Sequence, residues 1–313
     1  MTPSVAERPL AAPRGAVRPA LIAVRRRQET WSAYFLLAPY IAVFLAFMVV
    51  PSTYGLYLSF TDFRLGAVHP RWTGLDNFAY VLTDPLFRTT VVNTVVFALE
   101  STPALVVVPL ALAVLLNQRL PMRAFFRGAF FVPFTLSVSV VSICWWWLLD
   151  PNFGPVYFYL KQLGLHPPAW ISSPSLAMAA VVIATVWWTA GYNMVLFLAG
   201  LQDIPLHLYE AARIDGAGAW RQFRSVTLPL LRPTMLFVIV IQLIASFQVF
   251  GQVYVMTNGG PGNSTRTVIQ YVYETAFVRL QMSEGAAAAW VLFLIILVFS
   301  LAQFKLLSGH TEY

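Results

Sequence analysis

The sequence predicts an all-α polytopic membrane protein with six transmembrane helices. Three observations carry that prediction. Of 313 residues, 58% are hydrophobic and only 11% are charged, against roughly 25% charged in a soluble domain. Six windows are long and apolar enough to cross a hydrocarbon core, which takes about 20 helical residues. Lysine and arginine are dense in alternate connecting segments and sparse in the others.

The elements follow in chain order. Residues 1–29 are rich in Pro, Ala and Arg without a sustained apolar period, and they predict a disordered cytoplasmic tail ahead of a six-span transmembrane domain over 30–313. The apolar windows lie near 33–58, 90–116, 128–149, 175–201, 233–256 and 285–306. The first is too long for a cleavable signal peptide, lacks a small-residue cleavage site and runs into Pro51. Pro51, Pro103, Pro109 and Pro133 fall inside windows, which bilayers tolerate where neighbouring helices re-satisfy the freed carbonyls. The segments 59–89, 150–174 and 257–284 are longer and turn-rich, and predict short interfacial helices and loops.

Orientation follows from the basic residues. One alternate set of segments holds 14 of the 20, including Arg25–Arg27, Arg119, Arg123, Arg127, Arg213, Arg221, Arg224, Arg232 and Lys305. The other set holds Arg64, Arg71, Arg88, Lys161, Arg266 and Arg279. The richer side is cytoplasmic, so both termini are expected inside. Topology therefore accounts for the net charge of +7, and no nucleic-acid partner is expected. Cys144 is the single cysteine and the four histidines are scattered, which excludes a disulfide framework and predicts no metal centre.

One stretch breaks the apolar pattern. EAARIDGAGAWRQF, residues 210–223, places Glu210, Arg213, Asp215 and Arg221 between the fourth and fifth windows on the cytoplasmic side. Pro205 can open a helix over Leu206–Ile214. Asp215-Gly216 then makes a turn in which glycine can take a positive φ. Ala217–Val226 predicts a second short helix, stopped at Leu228-Pro229. A solvated loop would explain the arginines. It would not explain the alanines at 211, 212, 217 and 219, whose small side chains allow another protein surface to approach closely.

These residues resemble a known family. Glu210-Ala211-Ala212, Gly216 three residues on, and Val226-Thr227-Leu228-Pro229 are similar to the EAA signature of permease subunits of binding-protein-dependent ABC importers, with Val226 where the pattern usually has Ile. DGAGAW, LPLLRP and TNGGPG are similar to its carbohydrate-uptake branch, typified by the maltose and glycerol-phosphate importers. The resemblance implies the type I importer permease (MetI-like) fold and an insert at about 203–230 acting as a coupling helix. Glu210, Ala211, Ala212, Asp215, Gly216, Ala217, Leu228 and Pro229 would then dock on a separate ATPase. It also implies a bacterial or archaeal plasma membrane. The partners would be a second EAA-containing permease, two ATPase subunits, an extracytoplasmic solute-binding protein and a sugar-like solute. The chain has no GxxxxGK[ST] loop, so it is expected to bind no cofactor, with ATP and Mg held by the partner ATPases.

A sugar-like solute needs hydrogen-bond partners for its hydroxyls and aromatic rings for its C–H faces. Trp187, Trp188, Thr189, Tyr192 and Asn193 cluster midway through the fourth window. In the fifth, Gln242 and Ser246 share one helix face, and Gln248 and Gln252 another. Polar groups at that depth face a cavity or another helix, and interhelical hydrogen bonding is an equally open role. Resemblance to the maltose importer's larger permease assigns solute contact to Trp187, Thr189, Tyr192, Gln242 and Ser246. Glu100, the one acid deep in a window, could bind solute or pair with a neighbouring span. The rival readings are a permease for an amino acid or phosphate ester, and a polytopic membrane enzyme. The enzyme would want several ionisable residues at one interface, and only Glu100 is intramembrane.

Overall fold

A computed structural model of the protein describes residues 34–64, 70–118 and 120–308. The expected tail at 1–29, with its arginines, and Arg119 lie outside them. The chain divides between Gly55 and Leu56 into two units. Helix α1 (Tyr34–Ser59) begins in the first and ends in the second.

In α1 a π turn at Leu45–Val49 comes just before Pro51, with the Val50 N–H donating to the Leu45 carbonyl. A proline cannot supply the next donor, and slipping the ladder by one residue absorbs the loss. After α1, Trp72 stacks on Phe60 at 5.4 Å, and Asn77 Nδ2 donates to the Ser59 and Thr61 carbonyls at 2.9 and 2.7 Å. These contacts seat α2 (Asp76–Thr83) against the end of α1.

The long helix α3 (Pro85–Leu116) starts five residues before its predicted window, because Asp84 caps it: its Oδ1 accepts from the Leu86 N–H at 2.8 Å. Both Pro103 and Pro109 lie inside it. Pro109 has no N–H for the Leu105 carbonyl, and that carbonyl instead accepts from Asn193 Nδ2 at 2.9 Å. The donor comes from α7 (Ala177–Gln202), which packs along α3. Val106, Ala113 and Leu116 of α3 meet Met194, Phe197 and Leu201 of α7 in one buried cluster.

The third and fifth windows differ from their prediction as continuous helices. The third is α4 (Arg123–Phe131), a 3₁₀ turn at Val132–Thr135, and α5 (Val138–Leu148), with a 98° bend between its halves. Pro133 sits in the 3₁₀ turn, and Ser137 restarts the helix by accepting from the Val140 N–H. α6 (Pro155–Gln162) follows in the connecting segment 150–174. The insert is α8 (Leu206–Ile214) and α9 (Ala219–Leu230). Leu228-Pro229 does not stop the second insert helix as expected. A π turn at Phe223–Thr227 precedes Pro229, Leu228 N–H donates to the Phe223 carbonyl, and the helix runs to Leu230. Leu231 then turns it by 66° into α10 (Arg232–Phe247). A break at Gln248–Phe250 separates α10 from α11 (Gly251–Met256). α12 (Val268–Tyr273), in the connecting segment 257–284, and α13 (Met282–Ser308) complete the described helices.

By length and composition, α1, α3, α7 and α13 can each cross a membrane. Counting each bent pair as one span makes six, the predicted number. Among the described residues there is no strand, only an isolated bridge between Thr61 and Trp72.

Candidate functional site

Two regions carry the sequence-predicted residues: a cavity among the spans and the insert. The cavity has a volume of about 580 Å³ and forms where the two helix breaks approach α7. Gly191 lets the first break come close. A Cβ there would fall 2.5 Å from the Phe130 carbonyl carbon and 2.8 Å from Phe131 Cα, so only glycine fits. That approach stacks Phe134 on Tyr192 with centroids 4.6 Å apart and brings Trp188 Nε1 to donate to the Leu136 carbonyl at 3.2 Å. Gly251 lets the second break come close to the start of α5, since a Cβ would meet the Val138 side chain at 2.9 Å.

Thr189, Tyr192, Gln242 and Ser246 line this cavity together with Phe134, Trp188, Gln248, Phe250 and Gln252. No Asp, Glu, Lys, Arg or His is among the lining residues. The structure brings together four of the six residues expected at a solute site. Trp187 is not among them: its ring lies edge-on to Trp145 at 6.0 Å. One helical step rotates a side chain by about 100°, so Trp188 faces the cavity and its neighbour does not. Glu100 is exposed on α3, outside the lining.

Gln242 and Ser246 also hold helices together. Gln242 Nε2 donates to Asn193 Oδ1 at 2.8 Å, extending the relay that begins at the Pro109-freed carbonyl. Ser246 Oγ shares hydrogen bonds with Ser101 Oγ at 2.9 Å and Thr102 Oγ1 at 3.4 Å. Both side chains are buried, Gln242 at 4% exposure. Phe134 and Phe250 were not expected at the site. Their signals were Pro133 in FVPFT and Gly251, each marking a helix discontinuity beside an aromatic.

The insert is ordered by its glycine. Gly216 has φ +74, its N–H donates to the Arg213 carbonyl at 3.0 Å, and the Ala217 N–H donates to the Ala212 carbonyl at 2.9 Å. This Schellman closure requires a left-handed residue after the helix, which explains the Ala212-to-Gly216 spacing in physical terms. Tyr209 Oη and Thr227 Oγ1, 2.9 Å apart, tie α8 to α9, and Gln222 Nε2 donates to the Ala217 carbonyl at 2.7 Å. Between the insert and the end of α3 lies a second cavity of about 670 Å³, edged by Asn117, Gln118, Glu210, Arg213 and Gln222. Glu210, Ala211, Asp215 and Gly216 are exposed, and Ala212, Ala217, Leu228 and Pro229 are half-buried. Three large apolar side chains beside them are open as well: Leu206, Ile214 at 87% exposure, and Trp220. Such a knob presents an apolar, small-residue surface of the kind that protein interfaces bury.

Comparison with known proteins agrees with this architecture. Residues 86–307 match the family model described as binding-protein-dependent transport system inner membrane component. The sulfoquinovosyl glycerol transport system permease protein of Agrobacterium fabrum is 35% identical, over 83% of this chain and 85% of its own. The arabinooligosaccharides transport system permease protein of Bacillus subtilis is 35% identical, over 87% of each chain. Among solved structures, a chain of a bacterial ABC transporter that imports the acidic polysaccharide alginate superposes with a TM-score of 0.82 at 23% identity, covering 93% of this chain and 99% of that one. That likeness establishes the fold. The chain is a multi-pass membrane permease that belongs to the family of binding-protein-dependent transport system inner membrane components.

Proposed function

We propose that this chain is the permease subunit of an ATP-driven importer that carries a sugar, oligosaccharide or polyol inward. The observation that carries the reading is the cavity lining: a Phe134–Tyr192 stack, the Trp188 ring and the amides of Gln248 and Gln252, without an acid or base. Aromatic faces suit the C–H faces of a pyranose, and amides and hydroxyls suit its hydroxyl groups. An amino acid or phosphate ester brings fixed charge, which a site out of water meets with opposite charge. The relative named for arabinooligosaccharides supports the same solute class.

Energy enters through the insert. Glu210, Ala211, Ala212, Asp215, Gly216 and Ala217, with Leu228 and Pro229 at its base, dock on a cytoplasmic ATPase that holds the ATP and Mg. Two such ATPases close together, and their motion rocks this chain against a second EAA-containing permease. The cavity thereby opens alternately to each side. An extracytoplasmic binding protein delivers the solute to the outer segments. Both termini face the cytoplasm, and the chain forms and breaks no covalent bond.

The reading is tested by uptake into proteoliposomes holding the whole complex. Labelled neutral oligosaccharides, polyols, amino acids and glycerol phosphate are offered in parallel. Uptake confined to the carbohydrates and polyols, with apparent affinity weakened about 5- to 150-fold by Tyr192→Ala, supports the proposal. Uptake of amino acids alone, or affinity untouched by the substitution, refutes it.

A further inference from the structure

The break at Gln248–Phe250 raises a question that the bundle itself answers. Three residues leave the helical ladder inside the protein, and Phe250 takes φ −142 and ψ −61. A carbonyl released in this way finds no donor in lipid. The Val249 carbonyl is met by the Thr267 hydroxyl, which donates to it at 2.9 Å from 18 residues further along the chain. Thr267 is fully buried and opens α12 in the outer segment.

The position of Thr267 is itself fastened. Asn93 of α3 donates from Nδ2 to the Asn263 carbonyl at 2.7 Å and to the Arg266 carbonyl at 3.0 Å. Thr94 Oγ1 accepts from the Val268 N–H at 3.0 Å. Behind these, Arg266 pairs with Glu274 at 2.9 Å, and Gln270 Nε2 donates to the other Glu274 oxygen at 2.9 Å. The turn preceding Arg266 closes on that arginine: a Cβ on Gly259 would lie 2.9 Å from Arg266 Nε. The outer turn, the buried hydroxyl and the helix break thus form one continuous chain of contacts.

We propose that Thr267 is a positioning residue for the cavity: its hydroxyl fixes the Val249 carbonyl, and with it the wall formed by Gln248, Phe250 and Gln252. The wall is thereby set by the outer turn at Thr257–Arg266, the side on which solute arrives. This deepens the transport reading, and rests on it for the meaning of the cavity. Removing the hydroxyl leaves the carbonyl without its donor and biases the break toward another arrangement. A lost buried hydrogen bond corresponds to about 5- to 150-fold in that equilibrium.

The test needs no solute. In the full complex, with Cys144→Ser, a single cysteine replaces Gln248, and its labelling rate is measured with a membrane-impermeant methanethiosulfonate reagent. A cysteine at Asn152, exposed in another outer segment, serves as reference. Thr267→Val is expected to change the rate at position 248 by about fivefold or more, leave the reference rate alone, and be rescued by Thr267→Ser. Thr267→Ala removes the hydroxyl with less crowding and is expected to shift the rate in the same direction. Unchanged rates in both the Val and Ala variants overturn the proposal. So does a serine variant that behaves like valine, and so does failure of both Val and Ala variants to assemble. A shifted labelling rate in a complex that imports no carbohydrate would sink only the solute reading.

Discussion

Gly191→Ala inserts a methyl group where the structure has no room for one. The new Cβ would overlap the Phe130 carbonyl oxygen and stand 2.5 Å from its carbon, whereas ordinary contact begins at 3.4 Å. The obstacle is backbone, so no side chain can rotate away. The elbow of the third window has to retreat by about 0.9 Å at that carbon, and further at the oxygen. Two contacts depend on its position: the Phe134–Tyr192 stack at 4.6 Å and the Trp188 hydrogen bond at 3.2 Å. A retreat of that size carries the hydrogen bond out of range. Overpacking of this kind costs about 1–3 kcal/mol, and the lost hydrogen bond about 1 kcal/mol more. The sum, about 2–4 kcal/mol, should lower the thermal midpoint of the purified complex by about 4 °C or more. Gly128→Ala is the matched control, because nothing lies within 4 Å of its added Cβ and alanine is the better helix former by about 1 kcal/mol. A Gly191→Ala complex with the midpoint of the Gly128→Ala complex would refute the close approach, and with it this construction of the cavity wall.

Asn193→Leu should reduce the yield of folded complex more than Gln242→Leu. The first takes the Asn193 partner from both the Leu105 carbonyl and Gln242 Nε2, and the second keeps the carbonyl's donor; size-exclusion yield at equal expression reads the difference. Tyr271→Phe should lower unfolding stability by about 1–2 kcal/mol at neutral pH, because the hydroxyl donates to Asp84 Oδ2 at 2.6 Å. Burial, and then Asp84, push the Tyr271 phenol above its ordinary value of 10.0. The folded state therefore favours the protonated phenol, and this stability is present below about pH 10 and lost as the pH rises beyond it. Denaturant titrations should show that alkaline loss in the wild type and a flatter profile in the variant. With Cys144→Ser, a cysteine at Asn263 should react with an impermeant maleimide from outside, and one at Arg221 only after permeabilisation; the reverse pattern would invert the topology.

Hydropathy made the long helices legible because their length is set by the bilayer, and the composition of α3, α7 and α13 meets that demand directly. The insert was legible for the opposite reason, as four charges in an apolar chain with a glycine where a Schellman closure needs one. The breaks were harder to read. Pro103 and Pro109 leave α3 continuous, whereas Pro133 sits in the 3₁₀ turn that leads into a 98° bend. Nothing local separates them, since the outcome depends on distant partners such as Asn193 and Gly191. Helical phase was the limit for Trp187 and Trp188, where one residue decides between the cavity and Trp145. Pro229 was read as a stop because a proline ends a regular ladder, and the π turn before it removes that necessity.

The central claim is that the insert makes transport by this chain depend on ATP hydrolysed elsewhere. It is tested most directly in proteoliposomes containing the complete complex, with ATP supplied on the side of the insert and a labelled carbohydrate with its binding protein on the other. Gly216→Pro destroys the φ +74 turn, since proline is held near φ −65°, while leaving the cavity untouched. The account predicts uptake that requires ATP in the wild type, and assembled Gly216→Pro complexes in which binding protein no longer stimulates hydrolysis and uptake falls to background. Undiminished, ATP-dependent uptake by the Gly216→Pro complex, or wild-type uptake that proceeds equally without ATP, would contradict it.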